Sequence, residues 1–292
     1  MRSRSRYVGL VYILPWLVGF LVLQLYPLVC SLAYSFTDFK LLGTTRWVGL
    51  KNYADIFTRD PLFWKSLGRT TVYVVIAVPL KLAFALFISV VLSGNIKGIN
   101  AFRTMYYVPS IMGGSIAIAV LWRFLFMKEG VVNQILSLVG ISGPNWLGDP
   151  SLALFTISLV TVWQFGSSMV LFLAGLKQIP PSLYEAARID GAGRARIFLR
   201  ITMPMLSPIV FFNLIMQTIN AFQEFTAAFV ITQGGPLKST YLYGLMLYDK
   251  GFRFFQMGYA SALSWALFAI ILVLTLLSFK SSESWVHYGD AQ

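Results

Sequence analysis

The sequence predicts an all-α integral membrane protein with six transmembrane helices. Of its 292 residues, 57% are hydrophobic and only 12% charged, whereas soluble domains carry about 25% charged residues. The mean hydropathy is +0.72. Apolar windows of about 20 residues, enough to cross a bilayer, recur along the chain with short polar segments between them.

The first window runs from about Val8 to Phe36, behind Arg2, Arg4 and Arg6. It far exceeds the roughly 7 to 15 residue apolar core of a secretory signal, and no small-x-small cleavage pattern follows. It reads as a retained first span. The others fall at about Thr70 to Leu92, Thr104 to Phe126, Leu152 to Leu176, Met205 to Ile231 and Gly258 to Phe279. Pro15, Pro27, Pro79, Pro109 and Pro208 lie in or near these windows, so several spans should be kinked, as membrane helices tolerate. No repeat or soluble domain is visible, and residues 1–292 read as one transmembrane domain.

The outer segments are Thr37 to Arg69, Met127 to Ser151 and Thr232 to Met257, with turns at Gly140 to Asn145 and Gly234-Gly235-Pro236. Lys and Arg are evenly split between the two sides. The inner segments are shorter in total, and those around Arg2 to Arg6 and Lys97 to Arg103 hold no acid. By the positive-inside rule both termini face the cytoplasm.

Composition excludes several function classes. The net charge is +12, but the basic residues are scattered between apolar runs, which argues against a nucleic-acid partner. Cys30 and His287 are each the only residue of their kind. An internal disulfide, a cysteine or histidine metal site and a catalytic cluster are therefore not expected. No GxxxxGK[ST] is present, so the chain does not hold ATP in that way.

The longest inner segment, Lys177 to Met203, has specific chemistry. After Pro180-Pro181, Ser182-x-x-Glu185 has the form of a capping box. Leu183, Ala186 and Ile189 share one face, with Tyr184, Glu185, Arg188 and Asp190 largely elsewhere. Gly191 supplies a left-handed stop. A second short helix is expected from Arg194 to Ile201, until Pro204 opens the next span. On these residues alone, two readings stand: an amphipathic interfacial loop with a local Glu185–Arg188 pair, or a docking elbow.

Glu185-Ala186-Ala187-x-x-Asp190-Gly191-Ala192, followed by Phe198, Ile201 and Pro204, resembles the EAA loop of permease subunits of binding-protein-dependent ABC importers. The likeness is to the sugar class that includes the maltose and glycerol-3-phosphate permeases. Leu14-Pro15 with Phe20, Tyr26-Pro27, Ser31-Leu32 with Ser35-Phe36, and Trp47-Val48-Gly49-Leu50-Lys51-Asn52-Tyr53 resemble the first subunit of that permease pair. Gly234-Gly235-Pro236 and Gly258-Tyr259-Ala260-Ser261-Ala262 are similar as well. Met203 replaces the usual leucine, and the large outer domain of some maltose-type members is absent.

The resemblance implies a type I ABC importer permease fold in a bacterial or archaeal inner membrane. It implies a second, homologous permease subunit, two ATPase subunits, an extracellular solute-binding protein and a sugar substrate. ATP and Mg would sit on the partner ATPase, leaving this chain without a cofactor or a catalytic group. The elbow would enter a cleft of the ATPase, with Leu183, Ala186, Ala187 and Ile189 packing there and Glu185 making a polar contact. Gly191 would permit the turn, and Tyr184 and Asp190 belong to the same contact set.

A sugar path needs polar groups at membrane depth, where ionisable residues are costly. Asn213, Gln217, Asn220 and Glu224 form one stripe in the fifth span, and Thr161, Gln164 and Ser168 form another in the fourth. The competing reading of both stripes is interhelical hydrogen bonding. Glu224 favours a neutral sugar, because a carboxylate accepts hydroxyl protons and repels anions. Lys81 is a candidate functional charge, with snorkelling to the interface or structural pairing as the preferred readings. Ser110, Gly113, Gly114 and Ser115 are read as close helix packing, with lining of the path as the lesser alternative. An alternative for the whole chain is an ion-coupled secondary transporter using Glu224 and Lys81, although the internal repeats common in that class are not visible.

Overall fold

The structure is a computed structural model. It describes residues 5–40, 44–94, 98–112 and 114–287, with the backbone alone for 5–11. Arg2, Arg4, Lys97 and Gly113 lie outside the described residues, as does the side chain of Arg6.

The described residues are mainly helical, with one isolated antiparallel bridge between Thr37 and Trp47. Four continuous helical runs are long and apolar enough to cross a membrane: Tyr12–Ser35, Pro61–Val91, Arg194–Phe222 and Met257–Ser282. Two bent pairs bring the number to the six predicted when each pair is counted as one span. Ile99–Ile111 with Ile116–Leu138 turns through 98°, and Ala153–Trp163 with Gly166–Gln178 through 49°.

Several expected boundaries move. The second helix begins at Pro61, nine residues before Thr70, and its 31 residues span roughly 46 Å at 1.5 Å per residue. That exceeds the roughly 30 Å hydrocarbon core. The expected separate helix Arg194 to Ile201 is instead the first part of the fifth span, which ends at Phe222 and not near Ile231. A π turn at Phe198–Thr202 makes this continuity possible. Pro204 lacks an N–H and its ring crowds the carbonyl four residues back, and a widened turn just upstream accommodates it. Leu21–Leu25 forms the same kind of turn ahead of Pro27.

By contact the chain divides into two compact units. The first contains Met1–Phe63 and Met246–Ile270. Here the amide of Asn52 donates to the carbonyls of Ser35 and Thr37, each at 2.8 Å. The Ser35 carbonyl is one of those a helix leaves unpaired at its C-terminal end. The Tyr53 hydroxyl donates to Ser35 Oγ at 2.8 Å, and the N–H of Gly258 donates to the Phe39 carbonyl at 2.9 Å. Tyr259 Oη and Lys250 Nζ both lie 2.9 Å from Asp60 Oδ2. The Asn52-Tyr53 and Gly258-Tyr259 dipeptides of the sequence motifs therefore tie the end of the first span to the loops that follow it.

The second unit contains Trp64–Leu245 and Ile271–Gln292. Tyr73, Ile157, Met169, Phe172, Leu206 and Leu245 are among its fully buried side chains. The helix Gly166–Gln178 packs against Ile99–Ile111 and Met203–Phe222. A Cβ on Gly166 would fall on the Tyr106 carbonyl, so glycine permits this crossing. Ser110 repairs the break in the fourth span: its hydroxyl donates to the Gln164 carbonyl and accepts the Ser167 N–H, both at 3.0 Å.

Candidate functional site

Two features of the second unit carry the predicted site residues. The first is the helix Pro181–Ile189. It starts without the expected capping box. Pro180 is the N-cap residue and makes no side-chain cap bond, while Pro181 occupies the first helical position. Proline suits that position because its missing N–H would be unpaired there anyway. Ser182 therefore falls one position inside the helix, and Glu185 has no cap to reach.

The C-terminal stop forms as expected. Gly191 has φ +71°, its N–H donates to the Arg188 carbonyl at 3.0 Å, and the Ala192 N–H donates to the Ala187 carbonyl at 2.9 Å. These two bonds make a Schellman motif.

The helix presents apolar side chains to its surroundings. Ile189 is 87% exposed and Leu183 39% exposed. Glu185, Ala186, Asp190 and Gly191 are exposed as well, and Ala187 is half-buried. Tyr184 is half-buried as well, and its hydroxyl lies 3.2 Å from Thr202 Oγ1. Thr202 is 5% exposed, so Tyr184 fastens the loop helix to the base of the fifth span.

The second feature is a cavity of about 410 Å³, within the usual range of small-molecule sites, about 300–1,000 Å³. From the fifth span it receives Gln217 and Asn220, and then Glu224. Glu224 stands beyond the helix end at Phe222, but bonds from the N–H groups of Gln223 and Glu224 to the carbonyls of Asn220 and Ala221, each 3.2 Å, extend the turn. The carboxylate therefore stays on the side of the stripe. It accepts the Ala227 N–H at 2.8 Å, in the manner of a capping acid at the helical segment that restarts there.

From the fourth span the cavity receives Thr161, Gln164 and Ser167. The hydroxyls of Thr161 and the fully buried Tyr73 lie 2.6 Å apart. Ser168 does not reach the cavity; it is fully buried with Oγ unpaired. Asn213 is likewise outside, 1% exposed, with its amide N–H donated to the Ile209 carbonyl and Oδ1 unpaired. Each stripe therefore splits, because its remaining member is turned into the packed part of its helix.

Three further residues line the cavity, each with lining or function as its less favoured reading in the sequence. Ser110 packs helices as expected and also faces the cavity together with Gly114. Lys81 lines it too, 6% exposed and well inside Pro61–Val91. The snorkelling reading fails because the side chain is buried and contributes to the cavity wall, ten residues from the nearer helix end at Val91. A lysine in an apolar run marks a functional candidate by itself.

The family model described as "Binding-protein-dependent transport system inner membrane component" matches residues 63–282. The chain is 49% identical to a probable ABC transporter permease protein, YesP, of Bacillus subtilis, over 99% of this chain and 94% of that one. It is 33% identical to the lactose transport system permease protein LacF of Rhizobium radiobacter, over 94% of each chain. Its fold is similar to a chain in the crystal structure of a bacterial alginate ABC transporter in complex with an alginate pentasaccharide-bound periplasmic protein. That likeness has a TM-score of 0.82 at 20% identity and covers 96% of this chain and 95% of that one.

Proposed function

The chain belongs to the family of binding-protein-dependent transport system inner membrane components, and from that premise we propose that it is the non-catalytic transmembrane subunit of an ATP-driven sugar importer. It is a multi-pass membrane protein. Its substrate is a sugar or oligosaccharide handed over by an extracellular solute-binding protein; the lactose permease relative supports this class. The assembly adds a second, homologous permease subunit and two ATPase subunits, which carry ATP and Mg. Both termini face the cytoplasm, which puts the helix Pro181–Ile189 on the ATPase side.

In this reading Leu183, Ala186, Ala187 and Ile189 pack into the ATPase, and Glu185 and Asp190 make polar contacts at its rim. Gly191 holds the turn, and Tyr184 passes the motion to the fifth span. Gln217, Asn220, Glu224, Thr161 and Gln164 line the path, while Asn213 and Ser168 support it from inside the packing. ATP-driven closure of the ATPases moves the loop, the path opens toward the loaded binding protein, and hydrolysis resets it. The observation that carries this reading is the exposed, Schellman-capped helix fastened through Tyr184 to the span that supplies Gln217 and Asn220.

Co-purification tests it. An ATPase subunit should be recovered with the solubilised wild-type chain and lost with Glu185→Lys. Uptake by the lone chain driven by an ion gradient alone would instead establish a secondary transporter using Glu224 and Lys81, the reading that family membership disfavours.

A further inference from the structure

We propose that Lys81 recognises an acidic group on the transported sugar, so that the cavity selects an anionic saccharide; this rests on the cavity being the sugar path. The inference reverses the preference for neutral sugars drawn from Glu224 in the sequence, and it follows from how the two charges are held.

Glu224 is already occupied. One carboxylate oxygen accepts the Ala227 N–H at 2.8 Å, and the N–H groups of Phe225 and Thr226 act on it as well. These donors stand at the start of a helical segment, where partial positive charge stabilises an anion. These bonds meet part of the carboxylate's charge and Lys81 acts on it electrostatically as well, so its repulsion of an incoming anion is reduced.

Lys81 is held differently. Its side chain makes no hydrogen bond and no direct ion pair among the described residues; Glu224 acts on it electrostatically without touching it. It is 6% exposed and contributes to the cavity wall. A charge removed from water is costly unless it is paired, and three ammonium donors face a space of about 410 Å³. Around that space Gln164, Gln217 and Asn220 make no side-chain hydrogen bond within the chain among the described residues, and are free to meet sugar hydroxyls. A ligand that satisfies the whole wall carries several hydroxyls and one acid, as a uronic acid glycoside does.

The test uses the detergent-purified complex of both permease subunits and the ATPases, without the binding protein. Saturation-transfer NMR is run with the methyl glycosides of glucuronic and galacturonic acid, and with those of glucose and galactose as matched neutral probes. At least one acid should bind about tenfold or more tightly than its neutral counterpart, the scale of one charge-assisted contact in a site shielded from water. Lys81→Met should abolish the difference and Lys81→Arg should keep it, in variants that still co-elute with the ATPase. Equal binding of acid and neutral probes by wild type, absence of acid binding, or a preference that survives Lys81→Met would each overturn the proposal. If Lys81→Met does not assemble, Lys81→Gln replaces it, and the wild-type comparison remains decisive alone. ATP-driven uptake is measured separately. Its absence alongside an intact acid preference would count against the transport reading and not against this one.

Discussion

The hydroxyl of Tyr184 lies 3.2 Å from Thr202 Oγ1, and this contact fastens an exposed nine-residue helix to a helical run that continues from Arg194 to Phe222. The run is unbroken because the π turn at Phe198–Thr202 admits Pro204. A displacement of Pro181–Ile189 can therefore act along the fifth span toward Gln217 and Asn220.

Tyr184→Phe removes the hydroxyl and leaves the ring. The expected stability loss is small, about 0.5–1.5 kcal/mol for one hydrogen bond, so the complex should assemble. Coupling should suffer more: ATP hydrolysis persists while sugar moved per ATP falls. The measurement is uptake and hydrolysis in the same proteoliposomes, and an unchanged ratio would show that Tyr184 transmits nothing.

Gly191→Ala tests the turn. With φ +71° and no atom within 4 Å of a built Cβ, the cost is purely conformational, about 1–2 kcal/mol for a left-handed residue with a side chain. Recovery of the ATPase subunit should fall for Gly191→Ala and fall less for Gly191→Asn, since asparagine tolerates this region better. Equal loss for both would mean that the backbone conformation is not what matters.

The extent to which these features were readable in the sequence follows from how local each one is. Gly191 depends on a stop signal next to it in the chain, and it formed as expected. Ser182 did not, because Pro181 competes for the same helix start and a proline at the first helical position needs no cap. Gln217, Asn220 and Glu224 met because helical spacing survives through the short bonds at the helix end. Asn213 fits the same spacing, but its half of the helix packs on Gly166–Gln178, where Leu206 and Ile209 press on Gly175; periodicity contains nothing about which half of a helix is covered. Lys81 was misplaced for a related reason. It stands at the middle of the Thr70 to Leu92 window, eleven residues from each end, and nothing in the hydropathy pattern tells which neighbouring helices enclose it there.

Asp60 gives a pH prediction. Burial pushes its carboxyl up, but the bonds donated by Lys250 and Tyr259 and by the Leu62 N–H outweigh this and hold it below the ordinary value of 3.8. A carboxyl with a lowered folded-state value contributes stability that is complete above its unfolded value and is lost as pH falls through the folded one. The thermal midpoint in detergent should therefore drop on acidification from about pH 5 to pH 3, and drop less in Asp60→Asn. Parallel curves for the two proteins would exclude Asp60 as a contributor.

Ser110 gives the sharpest test of the broken fourth span. Its one hydroxyl serves both sides of the break, donating to the Gln164 carbonyl and accepting the Ser167 N–H, both at 3.0 Å. Ser110→Ala leaves both groups without a protein partner. Both Gln164 and Ser167 line the cavity, so water can reach them and the loss should stay near the lower range for a hydrogen bond, about 0.5–1.5 kcal/mol. Ser110→Val should cost more, because it removes the hydroxyl and also excludes that water beside the close crossing at Gly166. Comparing thermal midpoints of the two variants separates the effects: if valine is no worse than alanine, the break does not rely on solvent to replace Ser110. If neither differs from wild type, the hydroxyl is not what satisfies the interrupted helix.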